Sequence, residues 1–214
     1  MLEKRLAERE RNLELAEQAR RELQARRVTR HPGAEAVRLR LEERRPYPRR
    51  QTIDERKDIL VYVTEPLAKP LTFAGPVSAV IYASSSARDT DWFVSLSEVN
   101  NGGKIFPLGI GKIRARFRKS MSTPEFLKPN EVYEYTLDLW HTGITIPAGS
   151  RLRIEVASAL FPFFSRNLNT GGHNETETKF VTANQAIYHS QKYPSYILLP
   201  VIPETPTTTS SSAH

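Results

Sequence analysis

The chain contains no cysteine. Disulfides, thiolate metal ligands and a cysteine nucleophile are therefore excluded, and a reducing, cytoplasmic setting is the expectation. No run of about 18 apolar residues is present, so no membrane-spanning helix is expected. A mean hydropathy of −0.48 with 26% charged residues also argues against a membrane protein. The N-terminus is charged from Glu3 onward and lacks the apolar core of a secretory signal. The Gly-x-Ser-x-Gly turn that presents a hydrolase serine does not occur. Ser84-Ser85-Ser86 has no flanking glycines and reads as turn chemistry. The five histidines (His31, His141, His173, His189 and His214) have no two members within four residues. No local metal pair follows from that spacing, and no metal or other cofactor is expected.

The charge is concentrated at one end. Residues 1–50 hold 15 Lys and Arg against 9 Asp and Glu, a balance of +6, whereas the other 164 hold 16 against 15. Residues 1–28 read as a charged helix, with Leu2, Leu6, Leu13, Ala16 and Leu23 forming a thin stripe that Arg9 and Arg20 interrupt. Such a helix either docks on a domain or stays solvated and self-associates weakly. Residues 29–53 lose periodicity and carry Pro32, Gly33, Pro46 and Pro48 in an Arg-rich run, which reads as linker. Residues 204–214 form a Thr/Ser/Pro tail expected to be disordered.

Residues 54–203 switch to a period of two. Ile59–Thr64 is apolar on both faces, the pattern of a buried strand. Alternation marks further strands at Val77–Ala83, Trp92–Leu96, Ile105–Leu108, Ile113–Phe117, Glu131–Trp140, Arg151–Ser158, Thr178–Thr182, Gln185–His189 and Ser195–Ile202. Asn100-Asn101-Gly102-Gly103 is a hairpin signal. Eight to ten short strands with Gly/Pro turns give an all-β sandwich or barrel. The long connections Lys119–Asn130 and Phe161–Glu177 favour Greek-key or jelly-roll wiring.

The candidate functional stretch is Phe161–Gly172, which sets aromatics on a proline, then an Arg, two Asn and a Gly pair. A loop so specified suits binding or domain contact. Its candidates are Phe161, Phe163, Phe164, Arg166, Asn167 and Asn169; Phe161, Pro162 and Phe164 are expected to pack the loop onto the sandwich or onto a partner domain, and Arg166, Asn167 and Asn169 to pin loop backbone. His173, beside Glu175 and Glu177, reads as loop polarity. Asp89-Thr90-Asp91 suits Asx-turn bonding and has too few oxygens nearby for calcium. Lys112, Arg114, Arg116 and Arg118 fall on one face of a single expected strand, and Arg114 and Arg116 join the loop residues as candidates for binding or domain contact. Without interleaved exposed aromatics they do not argue for nucleic acid. Trp92, Tyr133, Tyr135 or Trp140 could line a sugar-stacking face, although alternating aromatics are more often core.

Specific runs resemble one family. They are Glu55–Tyr62 with Thr64-Glu65-Pro66-Leu67, Gly75-Pro76-Val77, Tyr82–Ser85 followed by Asp89-Thr90-Asp91-Trp92-Phe93, and Ile113–Arg118. Tyr135–Trp140, Arg151–Val156, the aromatic-Pro, Arg166-Asn167 and Asn169-Thr170-Gly171-Gly172 pattern, Tyr188-His189, Pro194-Ser195 and Leu199–Ile202 continue the series in order. Together they resemble the C-terminal jelly-roll domain of X-Pro dipeptidyl-peptidases and cocaine-esterase-like serine hydrolases, a galactose-binding-like β-sandwich.

The resemblance implies that the catalytic Ser, Asp and His belong to a separate α/β-hydrolase domain, whose active-site cleft the jelly roll helps to wall. No catalytic residue is then expected in this chain, which would be inactive alone. The expected partner is that hydrolase domain or subunit, and self-association through residues 1–28 would give a homo-oligomer. Residues 1–53 do not resemble the end of a hydrolase domain, which leaves a split enzyme, a truncated gene product or a free-standing sandwich. The alternative function is a stand-alone carbohydrate- or protein-binding jelly roll.

Overall fold

The computed structural model describes residues 35–40, 56 and 58–203. The expected helix over 1–28 and the tail over 204–214 lie outside the described residues. Nine strands among the described residues are divided between two antiparallel sheets: β1 (Glu35–Arg40), β2 (Ile59–Val63), β3 (Leu71–Ser85), β4 (Asp91–Val99), β5 (Ile105–Arg114), β6 (Tyr133–Ile146), β7 (Arg151–Ala157), β8 (Gln185–Tyr188) and β9 (Tyr196–Val201). Sheet A runs β1-β9-β3-β6, with β8 also paired to β3, and sheet B runs β2-β7-β4-β5. Early and late strands interleave in each sheet, which is jelly-roll wiring. The stretch expected as linker over 29–53 thus contains an edge strand, with Glu35 opposite Val201 and Arg40 opposite Tyr196.

Alternation decides which side chains meet between the sheets. Trp92, Val94 and Leu96 of β4, Leu152, Ile154 and Val156 of β7, and Ala79, Ile81, Tyr135, Leu137 and Leu139 of sheet A form one buried cluster. Each fully buried Leu, Ile, Val or Phe of this kind contributes about 1.5–3 kcal/mol.

Three strands differ from their expected extents for identifiable reasons. Gly75-Pro76 does not open β3 but lies inside it, next to a bulge where Leu139 and Trp140 of β6 together face Val77. Trp140 takes up the extra residue at φ 70°. Its N–H donates to Asp138 Oδ1 at 2.9 Å, and its ring faces solvent. The two short strands expected at Ile105–Leu108 and Ile113–Phe117 are one strand as far as Arg114, after which Ala115–Phe117 is a 3-10 turn. Gly109 and Gly111 interrupt the apolar pattern there, and for Gly109 the cause is a close crossing. A Cβ on Gly109 would lie 2.4 Å from the Leu139 carbonyl oxygen, where the edges of the two sheets meet. Thr178–Thr182 forms no strand; among the bonds of the described residues Val181 alone is tied across, its N–H donating to Leu168 O at 2.9 Å and its carbonyl accepting from Asn169 Nδ2 at 2.8 Å. The Asn100 hairpin is as expected, with Asn100 Oδ1 accepting from Gly102 N–H at 3.0 Å and Lys104 N–H at 2.9 Å.

Candidate functional site

Asp89, Thr90 and Asp91 lie at the tight connection between β3 and β4, and all three are fully buried. Buried carboxylates need partners, and the cations that alternation had grouped on β5 supply them. Arg114 grips Asp91 with two donors, Nε to Oδ1 at 2.8 Å and Nη2 to Oδ2 at 3.2 Å. Lys112 Nζ stands 3.3 Å from Asp91 Oδ2. The Arg116 backbone N–H donates to Asp89 Oδ1 at 3.0 Å, and its Nε lies 3.3 Å from Asp89 Oδ2. The hydrogen bond to Asp91 raises the Arg114 pKa above its ordinary value, against the opposing effect of burial. Arg118 bonds instead to Glu125, outside this cluster. The four cations therefore do not form a free basic face on one strand. The strand ends at Arg114 because Ala115 N–H bonds to Thr90 O and Arg116 N–H to Asp89, which curls the chain over the acidic turn.

The loop Phe161–Gly172, the signature loop with its aromatic-Pro, Arg-Asn and Asn-Thr-Gly-Gly pattern, is tied to the same cluster. Asn167 Nδ2 donates to Asp89 Oδ2 at 3.0 Å and to Asp91 Oδ1 at 2.9 Å, and its Oδ1 accepts the Asn169 N–H at 2.9 Å. Arg116 Nη1 reaches the carbonyls of Gly171 at 2.9 Å and Gly172 at 3.2 Å. Asn169, at φ 63°, donates to Val181 O at 2.8 Å. Gly171 has φ 80°, and a Cβ there would come within 2.7 Å of the Phe126 ring. The loop thus requires glycine at that position both for backbone conformation and for space. The Thr170 hydroxyl bonds Glu177, and the His173 carbonyl accepts from the N–H groups of Thr176 and Glu177. His173 and Glu177 accordingly hold the loop's return.

The aromatics divide into an anchor and a display. Phe164 packs on Phe93 with ring centroids 5.3 Å apart, and Lys112 Nζ lies 4.9 Å over its ring. Phe161, joined to Pro162 by a cis peptide, is 61% exposed, with the Arg166 guanidinium 4.7 Å over its ring. Phe163 is 83% exposed. Phe161 and Arg166 border a cleft of about 380 Å³ whose floor is Phe93, Ser95, Ile110 and Glu155 on the outward face of sheet B. Arg56 and Asp58 close its rim, and Arg56 Nε bonds Asp58 Oδ1 at 2.8 Å. That contact holds the Asp58 carboxyl below its ordinary range.

All eight candidates from the sequence except Phe163 have a described polar or ring contact in this region, and six of them belong to one loop. The anchors Asp89 and Asp91 were legible only as an Asx turn. The signal that could have paired them with Asn167 is charge balance: two adjacent acids need cations, and β5 offers a row. Trp92, Tyr135 and Trp140 do not form a sugar-stacking face. Trp92 and Tyr135 are core residues 5.9 Å apart, whereas Trp140 points to solvent from the bulge.

Comparison with known proteins agrees with this architecture. Residues 4–198 match the family described as the X-Pro dipeptidyl-peptidase C-terminal non-catalytic domain. The chain belongs to that family. Cocaine esterase of Rhodococcus sp. (strain MB1 Bresler) is 37% identical over 152 residues, covering 70% of this chain and 26% of the esterase. An α-amino acid ester hydrolase structure superposes with a TM-score of 0.68 at 31% identity, over 80% of this chain and 33% of the hydrolase. An aminopeptidase structure from a marine-sediment Thaumarchaeota archaeon gives 0.66 at 26% identity, over 81% and 34%. This PepX-type C-terminal domain therefore spans about a quarter to a third of the relatives it matches. Its ion cluster and signature loop are features of a non-catalytic sandwich.

Proposed function

We propose that this chain is the accessory β-sandwich of a serine hydrolase acting on X-Pro peptides or acyl esters. It helps wall the active-site cleft of an α/β-hydrolase domain, carries no catalytic residue and is inactive alone. One observation supports this most: a loop held by buried charge presents Phe161 and Phe163 to solvent, 61% and 83% exposed. Large exposed apolar groups on a held scaffold suit a protein interface, and covering one Phe ring contributes about 1.5–3 kcal/mol. The matched relatives include an esterase, an ester hydrolase and an aminopeptidase, each three or four times the length this chain covers. A cysteine-free chain suits a reducing cytoplasm. Among the described residues no helix is long and apolar enough to cross a membrane.

The experiment is an assay of the purified chain with an aminoacyl-prolyl chromogenic substrate and a simple aryl ester. No turnover above the uncatalysed rate is expected for either. Hydrolysis that co-purifies with the folded chain and survives a serine-directed inhibitor control would overturn the inactive-alone reading.

A further inference from the structure

The cleft beside the signature loop stands on two rows of outward side chains of sheet B. Ile59, Ala157, Phe93 and Lys112 face one another in turn across β2, β7, β4 and β5. Glu155, Ser95 and Ile110 form the next row across β7, β4 and β5. Ala159, Leu160 and Phe161 wall one side. Strand alternation therefore gives the cleft an apolar bed in Ile59, Ala157, Phe93 and Ile110, and the loop adds an aromatic wall.

The charged groups on the lining differ in their partners. Asp58 is gripped by Arg56 through two bonds, at 2.8 Å and 2.6 Å. Glu155 accepts from Arg153 Nε at 2.7 Å and has the Ser95 hydroxyl 3.4 Å away. Lys112, at the edge of the bed, is committed to Asp91. Arg166 makes no hydrogen bond or ion pair with a described residue; its guanidinium lies 4.7 Å over the Phe161 ring. We infer that this cleft binds a small carboxylate with a compact apolar body, the body resting on Phe93, Ile110 and Ala157 and the carboxylate meeting the Arg166 fork.

Charge and shape select that class. Stacking on Phe161 uses the face of the guanidinium and leaves its N–H edge open to a carboxylate. Both lining carboxylates already have arginine partners, so the charge left for a ligand is a single cation, which a monoanion matches. A phosphate dianion would bring a second negative charge toward Asp58 and Glu155. An ammonium ligand would have to take a carboxylate from Arg56 or Arg153. The volume of about 380 Å³ is near the lower end of small-molecule sites, so it admits one ring or a short branched chain with its acid. Binding of this kind needs no hydrolase domain and goes beyond the accessory role.

The test titrates phenylacetate into the full, isotope-labelled chain at constant ionic strength and follows the backbone amide resonances. Saturable shifts are expected at Phe93, Ser95, Ile110, Ala157 and Leu160, with a Kd on the order of a millimolar. Phenethyl alcohol keeps the ring without the charge and should bind about tenfold more weakly. Phenethylammonium should bind no better than the alcohol. Arg166→Gln, at an exposed position, should bring phenylacetate down to the level of the alcohol and leave the alcohol unchanged. Ala157→Leu, which fills the bed, should weaken both, with the core amides of β4 and β7 reporting that each variant is folded. Equal affinity for acid and alcohol, tighter binding of the ammonium, or an acid preference that survives Arg166→Gln would overturn the carboxylate assignment. Shifts of the parent chain that stay linear to roughly 50 mM phenylacetate would overturn the site itself. None of these outcomes bears on whether the purified chain hydrolyses esters or peptides, so this inference and the accessory-domain reading fail separately.

Discussion

Asn167 donates to Asp91 Oδ1 at 2.9 Å across 76 residues of sequence. The bond joins the signature loop to the turn that opens β4, and the same amide nitrogen also reaches Asp89. The loop's position is thus set by buried charge, and its exposed rings are carried on that anchor.

Replacing the anchor should loosen the loop without removing the fold. Asn167→Ala leaves two buried carboxylate oxygens short of a donor, and a loss of about 1–3 kcal/mol is expected. Asn167→Asp adds a third carboxylate and should cost more. Denaturant unfolding of the three chains checks the order, and limited proteolysis within 161–172 checks that the loop is where stability is lost.

Arg114→Met should be among the most damaging single changes in the cluster. It strips Asp91, whose side chain is 1% exposed, of its bidentate partner. Breaking a buried pair in this way costs about 3–5 kcal/mol. Arg114→Lys keeps the charge and loses the fork, so an intermediate loss is expected. Equal midpoints for Arg114→Met and the parent chain would show that Lys112 and Asn167 satisfy Asp91 without the fork.

Gly109→Ala tests the crossing of the sheet edges. Its new methyl would meet the Leu139 carbonyl oxygen at 2.4 Å, a backbone atom that cannot swing aside. Overpacking of this kind costs about 1–3 kcal/mol. Gly143→Ala, whose Cβ would find only the Ala74 methyl at 3.9 Å, is the control and should be close to neutral.

Alkaline titration has a defined sign. Burial pushes the Tyr135 phenol up to about 12, against smaller opposing effects of the Trp92 indole and Arg118. The folded chain holds this proton after the unfolded chain has released it near pH 10. The contribution is therefore complete below pH 10 and declines as pH rises from 10 through 12. Phenolate absorbance should show a step near pH 12 that is lost in Tyr135→Phe, while Tyr133, whose phenol burial also pushes up, still titrates later than an ordinary tyrosine. A Tyr135→Phe chain with an unchanged late step would assign it elsewhere.

The sandwich was readable because period-two alternation survives in β4, β6 and β7, where one face meets the core. The rest depended on contacts that alternation does not encode. The row Lys112 to Arg118 keeps a strand-like pattern through Phe117, but bonds from Ala115 to Thr90 and from Arg116 to Asp89 end the strand. Alternation with Leu139 already sets Trp140 outward, but the bulge that gives it φ 70° leaves no period-two signal. Phe161 was expected to pack with Phe164, but only Phe164 has Phe93 beneath it and Phe161 stays 61% exposed.

The direct test of the central claim is calorimetric titration of this chain into a family α/β-hydrolase domain prepared without its own sandwich. Saturable binding is expected, weakened at least tenfold when Phe161 and Phe163 are both replaced by Ser, which corresponds to about 1.4 kcal/mol. Binding that is unaffected by the double replacement, or no binding by the folded chain, would contradict the assignment of this loop as the hydrolase contact.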